Sequence, residues 1–449
     1  MTPDYRNPRS AALHARAEAL LPSGVTHDNR YNPAGGIYVD HAQGSHKWDV
    51  DGHEYIDYWM GHGALLLGHT PPQIVAAVQH QITRGTHYGG NSELEIRWAE
   101  LVHQLIPSAE KVRFTASGTE ADMMAVRLAR AYTGKTRLLK FQGHFHGWYD
   151  PMTIGFQPPF DVPSSVGIPP QTAETVVVAP NNDLAAVERI LAEHDDIAAA
   201  ILEPTGASYG TIPLADGFLA GLRELTARHG VLLIFDEVIT GFRYSPGGIQ
   251  ALTGVIPDLT ALAKILAGGL PGGAVVGRAD VMAALEFRDD ARWNRFGRIH
   301  HPGTFNANPL TAAAGVAMLE TVAQGEASAF VNNYGDRLLL ALNAAKREAG
   351  VDTGCVYGYG SIFHILLVPG PQVDAQGRLV PGSVDVLTLR AGNPPPIRFA
   401  LHEEMLRRGV DLMSGQHGVC STAHTPADFD QTVAAFGEAC RALRARGLV

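Results

Sequence analysis

Lys264 interrupts an apolar run. In TALAKILAGGLPGGAVVGR (260–278) it follows Leu259, Ala261, Leu262 and Ala263, precedes Ile265, Leu266 and Ala267, and is trailed by five glycines. An ammonium in such company loses hydration, so it either snorkels to solvent or is kept as a reactive amine. GVLLIFDEV (230–238) drives a buried strand into Asp236 and Glu237. A carboxylate leaving a core strand can ligate a metal, pair with a buried cation or reach solvent. ILEPTGASYG (201–210) puts Glu203 at another strand end, where it reads equally well as a solvated turn residue. VRFTASGTEADMMAVRLARA (112–131) reads as a strand, a small-residue turn and a helix. Ser117, Gly118 and Thr119 then stand at a helix N-terminus, either binding phosphate through free N–H groups or simply capping.

Two further stretches carry alternatives. FQGHFHGWYD (141–150) offers His144 and His146 as a metal pair, without a third ligand at helical or loop spacing. It also offers an aromatic, Phe145, and a histidine to lie over a flat heterocycle. HPGTFNANP (301–309) is a loop with Thr304 before a helix start. The stretch ARAYTGKT (129–136) loosely matches a nucleotide-binding loop, with Asp236–Glu237 as its acidic partner. Its context is inverted, because Gly134–Lys135–Thr136 fall where a helix ends and a strand begins, so Gly134 is expected to be a helix C-cap.

The elements that must position these residues are legible from periodicity. Helices are expected at 10–21, 71–84, 92–106, 119–132, 183–194 and 216–229. Strands are expected in the runs VRFT, RLLKF, TVVVA, IAAAIL and VLLIF. Alternation at this spacing implies an α/β fold with a largely parallel sheet covered on both faces. Ligands collect beyond the C-terminal ends of such strands, where the stretches around 117, 145, 203, 236 and 264 fall. Near the start, IYVDHAQGSHKWDVDGHEYIDYWMG alternates apolar and polar residues around two turns, an antiparallel meander. An Ala-rich helix begins after residue 309, and about 325–449 reads as a separate α+β domain.

Bulk properties narrow the function. The chain has 449 residues, 45% hydrophobic and 18% charged, with net charge −10 and no basic tract. Nucleic-acid binding is disfavoured on those grounds. Three dispersed cysteines give no disulfide or zinc pattern, and no run of about 18 apolar residues occurs, so no membrane association and a cytoplasmic location are expected.

One ligand unites the pieces: pyridoxal 5'-phosphate. Its phosphate suits the 117–119 turn, its ring an aromatic near 145, its ring nitrogen Asp236, and its aldehyde a Schiff base with Lys264. On this reading the glycines after Lys264 let backbone approach the cofactor closely. No metal is called for.

SGTEA (117–121), HFHGWYD (144–150), FDEVITGFR (235–243), LAKILAGGLPGGAVVGR (262–278) and PGTFNANP (302–309) occur in one order. Together they resemble the class III aminotransferases of fold-type I pyridoxal-phosphate enzymes, over about residues 20–430. PSGVTHDNR (22–30) and VPSSVGIP (162–169) are similar to the glutamate-1-semialdehyde aminomutase-like branch. HGALLLGHTPP (62–72) is similar to the D-phenylglycine aminotransferase subgroup. The resemblance implies a large domain (66–320) with a mostly parallel seven-stranded sheet between helices. It adds a small α+β domain (321–449) with which residues 1–65 pack.

The resemblance also assigns roles. Lys264 becomes the Schiff-base lysine and proton shuttle, and Asp236 the partner of the ring nitrogen. Ser117, Gly118 and Thr119 hold the phosphate, Phe145 stacks on the ring with His146 beside it, Val238 packs on the opposite face, and Glu203 lies near. Thr304 is expected to reach the phosphate of a neighbouring subunit's cofactor, which implies a homodimer with shared sites. Arg30 matches a position that binds a substrate carboxylate. Gln416–His417 and Ser208 depart from the aminomutase pattern at expected substrate positions. An aminotransferase acting on an amino donor and an oxo acceptor is therefore expected. The 2,1-aminomutase and a non-catalytic cofactor-binding module are the alternatives.

Overall fold

The computed structural model describes residues 7–33 and 35–449; residues 1–6 and Ala34, which belong to the 1–65 segment, lie outside the described residues. The chain divides into two compact units. One comprises residues 72–329 and 385–390, the other 1–71, 330–384 and 391–449.

The smaller-sheet unit opens with the meander β1 (Val39–Gln43), β2 (His46–Asp49) and β3 (Glu54–Asp57). The 72–329 unit supplies β4 (Lys111–Thr115), β5 (Arg137–Phe141), β6 (Val176–Ala179), β7 (Ile197–Leu202), the two-residue β8 (Ile212–Pro213), β9 (Leu232–Asp236), β10 (Leu259–Ala263) and β11 (Gly273–Gly277). Back in the first unit, β12 (Cys355–Tyr359), β13 (Ile362–Leu366) and β15 (His417–Val419) form a three-stranded sheet, and β14 (Val410–Asp411) joins β3 in parallel.

The larger sheet has seven strands in the order β4-β11-β10-β9-β7-β5-β6. Only β11 runs against the others, pairing antiparallel with both β10 and β4. The fully buried runs of β7, β9, β10 and β11 reflect a sheet covered on both faces. The helix Gly118–Thr133 covers one of them. Its Met124, Ala125, Leu128 and Ala129 pack on Leu138, Ala199, Ile201, Leu232, Ile234, Leu259 and Val275. Truncating such a leucine to alanine costs about 2–5 kcal/mol, so this helix is firmly seated and its N-terminus with it. Gly134, in left-handed backbone (φ 69°), closes the helix, as the inverted context of the TGKT stretch predicts.

Candidate active site

The sheet brings the candidate residues to one edge. β4, β5, β7, β9 and β10 all run the same way, and their C-terminal ends lead into 117–119, 144–146, Glu203, Asp236 and Lys264 respectively. The register makes these ends neighbours, with Ala261 opposite Asp236 and Leu202 opposite Phe235. Sites at strand C-termini are the rule in such sheets.

Lys264 takes the first position after β10 in left-handed backbone (φ 54°). Ser208 and Tyr209 (φ 49° and 51°) share that region. A non-glycine residue held there costs of order 1–3 kcal/mol, and such strain gathers at functional sites. Burial lowers the Lys264 amine below the usual lysine range, although Asp236, Glu203 and Asp122 attract its proton. Arg243, fully buried, pushes it down further.

Asp236 is held from two sides. His146 Nδ1 lies 2.8 Å from Oδ2, and the Val238 N–H donates to Oδ1 at 3.0 Å. Burial lowers the His146 pKa despite the pull of Asp236. A third group that the sequence reading overlooked, Asp122, completes a buried cluster in which one ligand atom of each residue lies within 4.8 Å of the others. His144 takes no part in it. Its Nδ1 accepts the Glu203 N–H at 3.0 Å and its Nε2 meets Asn181 Oδ1 at 3.2 Å, while burial holds its pKa well down.

Glu203 organises the adjoining turn. Oε1 accepts the N–H groups of Phe145 (2.9 Å) and Ser208 (2.8 Å), and Oε2 that of Tyr209 (2.7 Å). Burial and Asp236 push its pKa up to about 7 against those three donors. Phe145 is left 45% exposed between two fully buried histidines, its ring edge near Phe156. Ser208 Oγ donates to the Gly143 carbonyl and accepts from Arg390 Nη1 at 3.2 Å, and that guanidinium stacks 4.1 Å over Phe156.

The Ser117 hydroxyl caps the helix by accepting the Glu120 N–H at 3.2 Å. The Gly118 and Thr119 N–H groups, first in that helix, have no intrahelical acceptor. The second carboxylate of the DEV stretch, Glu237, is fully buried and takes Thr240 Oγ1 and the Ile249 N–H. It is structural, and the acidic-partner reading of the pair falls away.

The glycines after Lys264 also make room within the protein itself. A Cβ on Gly268 would meet the Ala314 carbonyl oxygen at 2.6 Å, and one on Gly273 the Ser117 carbonyl oxygen at 2.4 Å. They seat the Pro309–Val322 helix and the phosphate-side turn. Other candidates stand outside the cluster. Thr304 is exposed, its carbonyl meeting His87 Nε2. Arg30, also exposed, donates to Thr26 Oγ1, while Gln416 accepts the Asn393 N–H and His417 Nδ1 sits 2.9 Å from His364 Nδ1. These three belong to the unit that carries the two smaller sheets.

The donor set fits pyridoxal phosphate. It pairs an anion-binding helix end with a buried carboxylate and a lysine of lowered proton affinity. The floor is tight, since a Cβ on Gly118 would overlap both Val238 methyls at 2.9 Å. The description Aminotransferase class-III matches residues 27–399. The chain belongs to the class III aminotransferases. These enzymes use pyridoxal 5'-phosphate with small amino and oxo substrates. Among relatives, a glutamate-1-semialdehyde 2,1-aminomutase of Desulforudis audaxviator (strain MP104C) is 39% identical over 442 residues, 96% of this chain and 98% of that one. An omega-transaminase from Sphaerobacter thermophilus superposes with TM-score 0.86 at 36% identity, over 98% of this chain and 99% of that one. A beta-phenylalanine aminotransferase from Variovorax paradoxus gives 0.83 at 32%, over 99% and 95%. Class III membership covers both transaminases and aminomutases, and the fold and cofactor expected from the sequence agree with it.

Proposed function

We propose that this class III enzyme moves an amino group between an amino acid or amine and a 2-oxo acid or aldehyde, with Lys264 as the catalytic amine. The observation that carries the reading is the placement of Lys264 in strained backbone at a strand end, beside Asp236 and with lowered proton affinity. When bound, the cofactor supplies an electron sink for breaking a C–H bond next to the substrate nitrogen. Lys264 would hold it, and its amine, of lowered proton affinity, would take that proton and return it one carbon away. Asp236, fixed by His146 and Val238, keeps a carboxylate at the ring nitrogen. Ser117, Gly118 and Thr119 would receive the phosphate, and Phe145 and Val238 would flank the ring, with Glu203 fixing the Phe145 backbone.

The finer assignments belong to the same reading. Arg30 binds a substrate carboxylate, with Ser208, Gln416 and His417 as further substrate contacts. Thr304 serves the phosphate of a neighbouring subunit in a homodimer. Support for the last comes from its exposure next to Phe305, itself exposed. A cytoplasmic location is supported by the low count and wide spacing of the three cysteines in the sequence. Among the described residues no helix is long and apolar enough to cross a membrane.

A second reading, the 2,1-aminomutase, is favoured by the 39% identical relative. A donor screen on purified holoenzyme separates the two. It uses both enantiomers of α- and β-amino acids, plus glutamate semialdehyde, each with and without a 2-oxo acid. Turnover that requires the acceptor is expected; sustained acceptor-free isomerisation of the semialdehyde would overturn the transaminase. Spectral silence toward every donor would overturn both.

A further inference from the structure

Asp122 lies in the second turn of the Gly118–Thr133 helix, is 1% exposed, and brings a carboxylate oxygen within 4.8 Å of Asp236, which is 5% exposed. Two carboxylates can share a hydrogen bond only if one of them carries a proton. The donors around the pair decide which. Asp236 accepts from His146 Nδ1 and from the Val238 N–H, one at each oxygen. Asp122 accepts from neither, and its Oδ1 is buried without a partner. An ionised Asp122 would be a second desolvated charge with no donor to stabilise it, whereas the protonated acid needs only one acceptor, and Asp236 is there. The proton therefore belongs on Asp122.

We propose that Asp122 is a positioning residue that keeps its proton and donates it to Asp236, so that the pair carries a single negative charge aimed at the cofactor's ring nitrogen. This rests on the reading of Asp236 given above. A third donor on Asp236 leaves its negative charge in place for the ring nitrogen. It also fixes the carboxylate's rotation. The titratable groups facing the pair are His146 and Tyr149 from the loop after β5, Lys140 in β5, Glu203 after β7, and Lys264 after β10. Burial and the carboxylates Asp236 and Glu203 push the Asp122 proton affinity well above the usual range, in agreement with the donor count.

The test compares wild-type holoenzyme with Asp122→Asn and Asp122→Val, and the readouts are cofactor dissociation and infrared spectra. Asparagine keeps a donor for Asp236 and carries no proton to lose. Asp122→Asn should therefore hold the cofactor within about 3-fold of wild type, while Asp122→Val, which deletes the donor, should weaken it about 10-fold or more. The wild-type minus Asp122→Asn infrared spectrum should show a protonated-carboxyl C=O band that moves in D2O. Damage from asparagine equal to that from valine, absence of the band, or stoichiometric metal on the three-residue cluster would each overturn the proposal. The infrared arm needs no cofactor chemistry and uses only the isosteric variant, so it stands even if the valine protein misfolds. Asp236→Asn tells the two claims apart: if that variant keeps its cofactor and its turnover, the reading of Asp236 fails while the infrared result still judges Asp122.

Discussion

Each unit buries a charged cluster, and the two clusters are built on opposite terms. In the unit of smaller sheets, Lys47 Nζ sits 2.8 Å from Asp57 and 2.7 Å from Asp411. His69 and Trp59 N–H complete Asp57, and His402 and the Trp59 indole complete Asp411. Burial alone would pull Lys47 down, but its two carboxylates more than reverse that and hold it well above the usual range. At the sheet edge of the other unit a lysine is driven toward neutrality, and Asp122 Oδ1 and His146 Nε2 are buried without partners. Satisfied networks fix structure. Unsatisfied ones, next to strained backbone, are what a site awaiting a charged, planar ligand requires.

Substitutions should break this contrast in opposite directions. The largest effect belongs to Lys264→Ala. Turnover of amino donors should fall about 10³-fold or more, since the covalent anchor and the proton carrier go together. Thermal stability of the apo-protein should not fall with it, because a strained, desolvated lysine is removed. A coincident collapse of the unfolding midpoint would mean that Lys264 is structural. Lys47→Met should do the reverse. It strands two buried carboxylates and should cost about 3–5 kcal/mol, read as a fall in the unfolding midpoint. A loss within error would show that this network is dispensable and void the comparison.

Glu203 lies between these extremes, because it is well satisfied yet part of the site. Glu203→Gln turns an NH2 toward three backbone N–H donors and leaves at least one unmatched, a cost of about 1–3 kcal/mol. The turn carrying Phe145, Ser208 and Tyr209 should loosen, raising KM for amino donors more than it lowers kcat. Equal falls in kcat and kcat/KM would instead place Glu203 in the chemical step.

How far the sequence spoke follows the same division. Lys264, Asp236 and the 117–119 turn were legible because each joins a strand end to a residue type that is costly there without a partner. The strand runs and the helix from 118 were recovered within a residue or two for the same periodic reasons. Asp122 was not legible. It sits beside the apolar positions 121, 124, 125 and 128, where a half-buried helix would show it to solvent, and only packing buries it. Nor was it legible that Gly268 and Gly273 make room for the backbone of residues 314 and 117. Contacts between distant segments leave no local pattern.

The smallest effect sharpens the contrast most, because it reads protonation directly. Native Asp122, with its pKa raised, keeps a proton that the unfolded chain, titrating near 3.8, has lost at neutral pH. Above that value the native state binds more protons than the unfolded state, so stability attributable to Asp122 falls as pH rises toward its raised pKa. Asp122→Asn removes that dependence and nothing else that titrates. The unfolding midpoint of Asp122→Asn relative to wild type should therefore climb as pH rises above the ordinary aspartate range, by about 2 °C or more. Glu203 and His146 titrate in both proteins and cancel in the difference. A flat difference would mean that native Asp122 is ionised like Asp57, and the two clusters would then obey one rule.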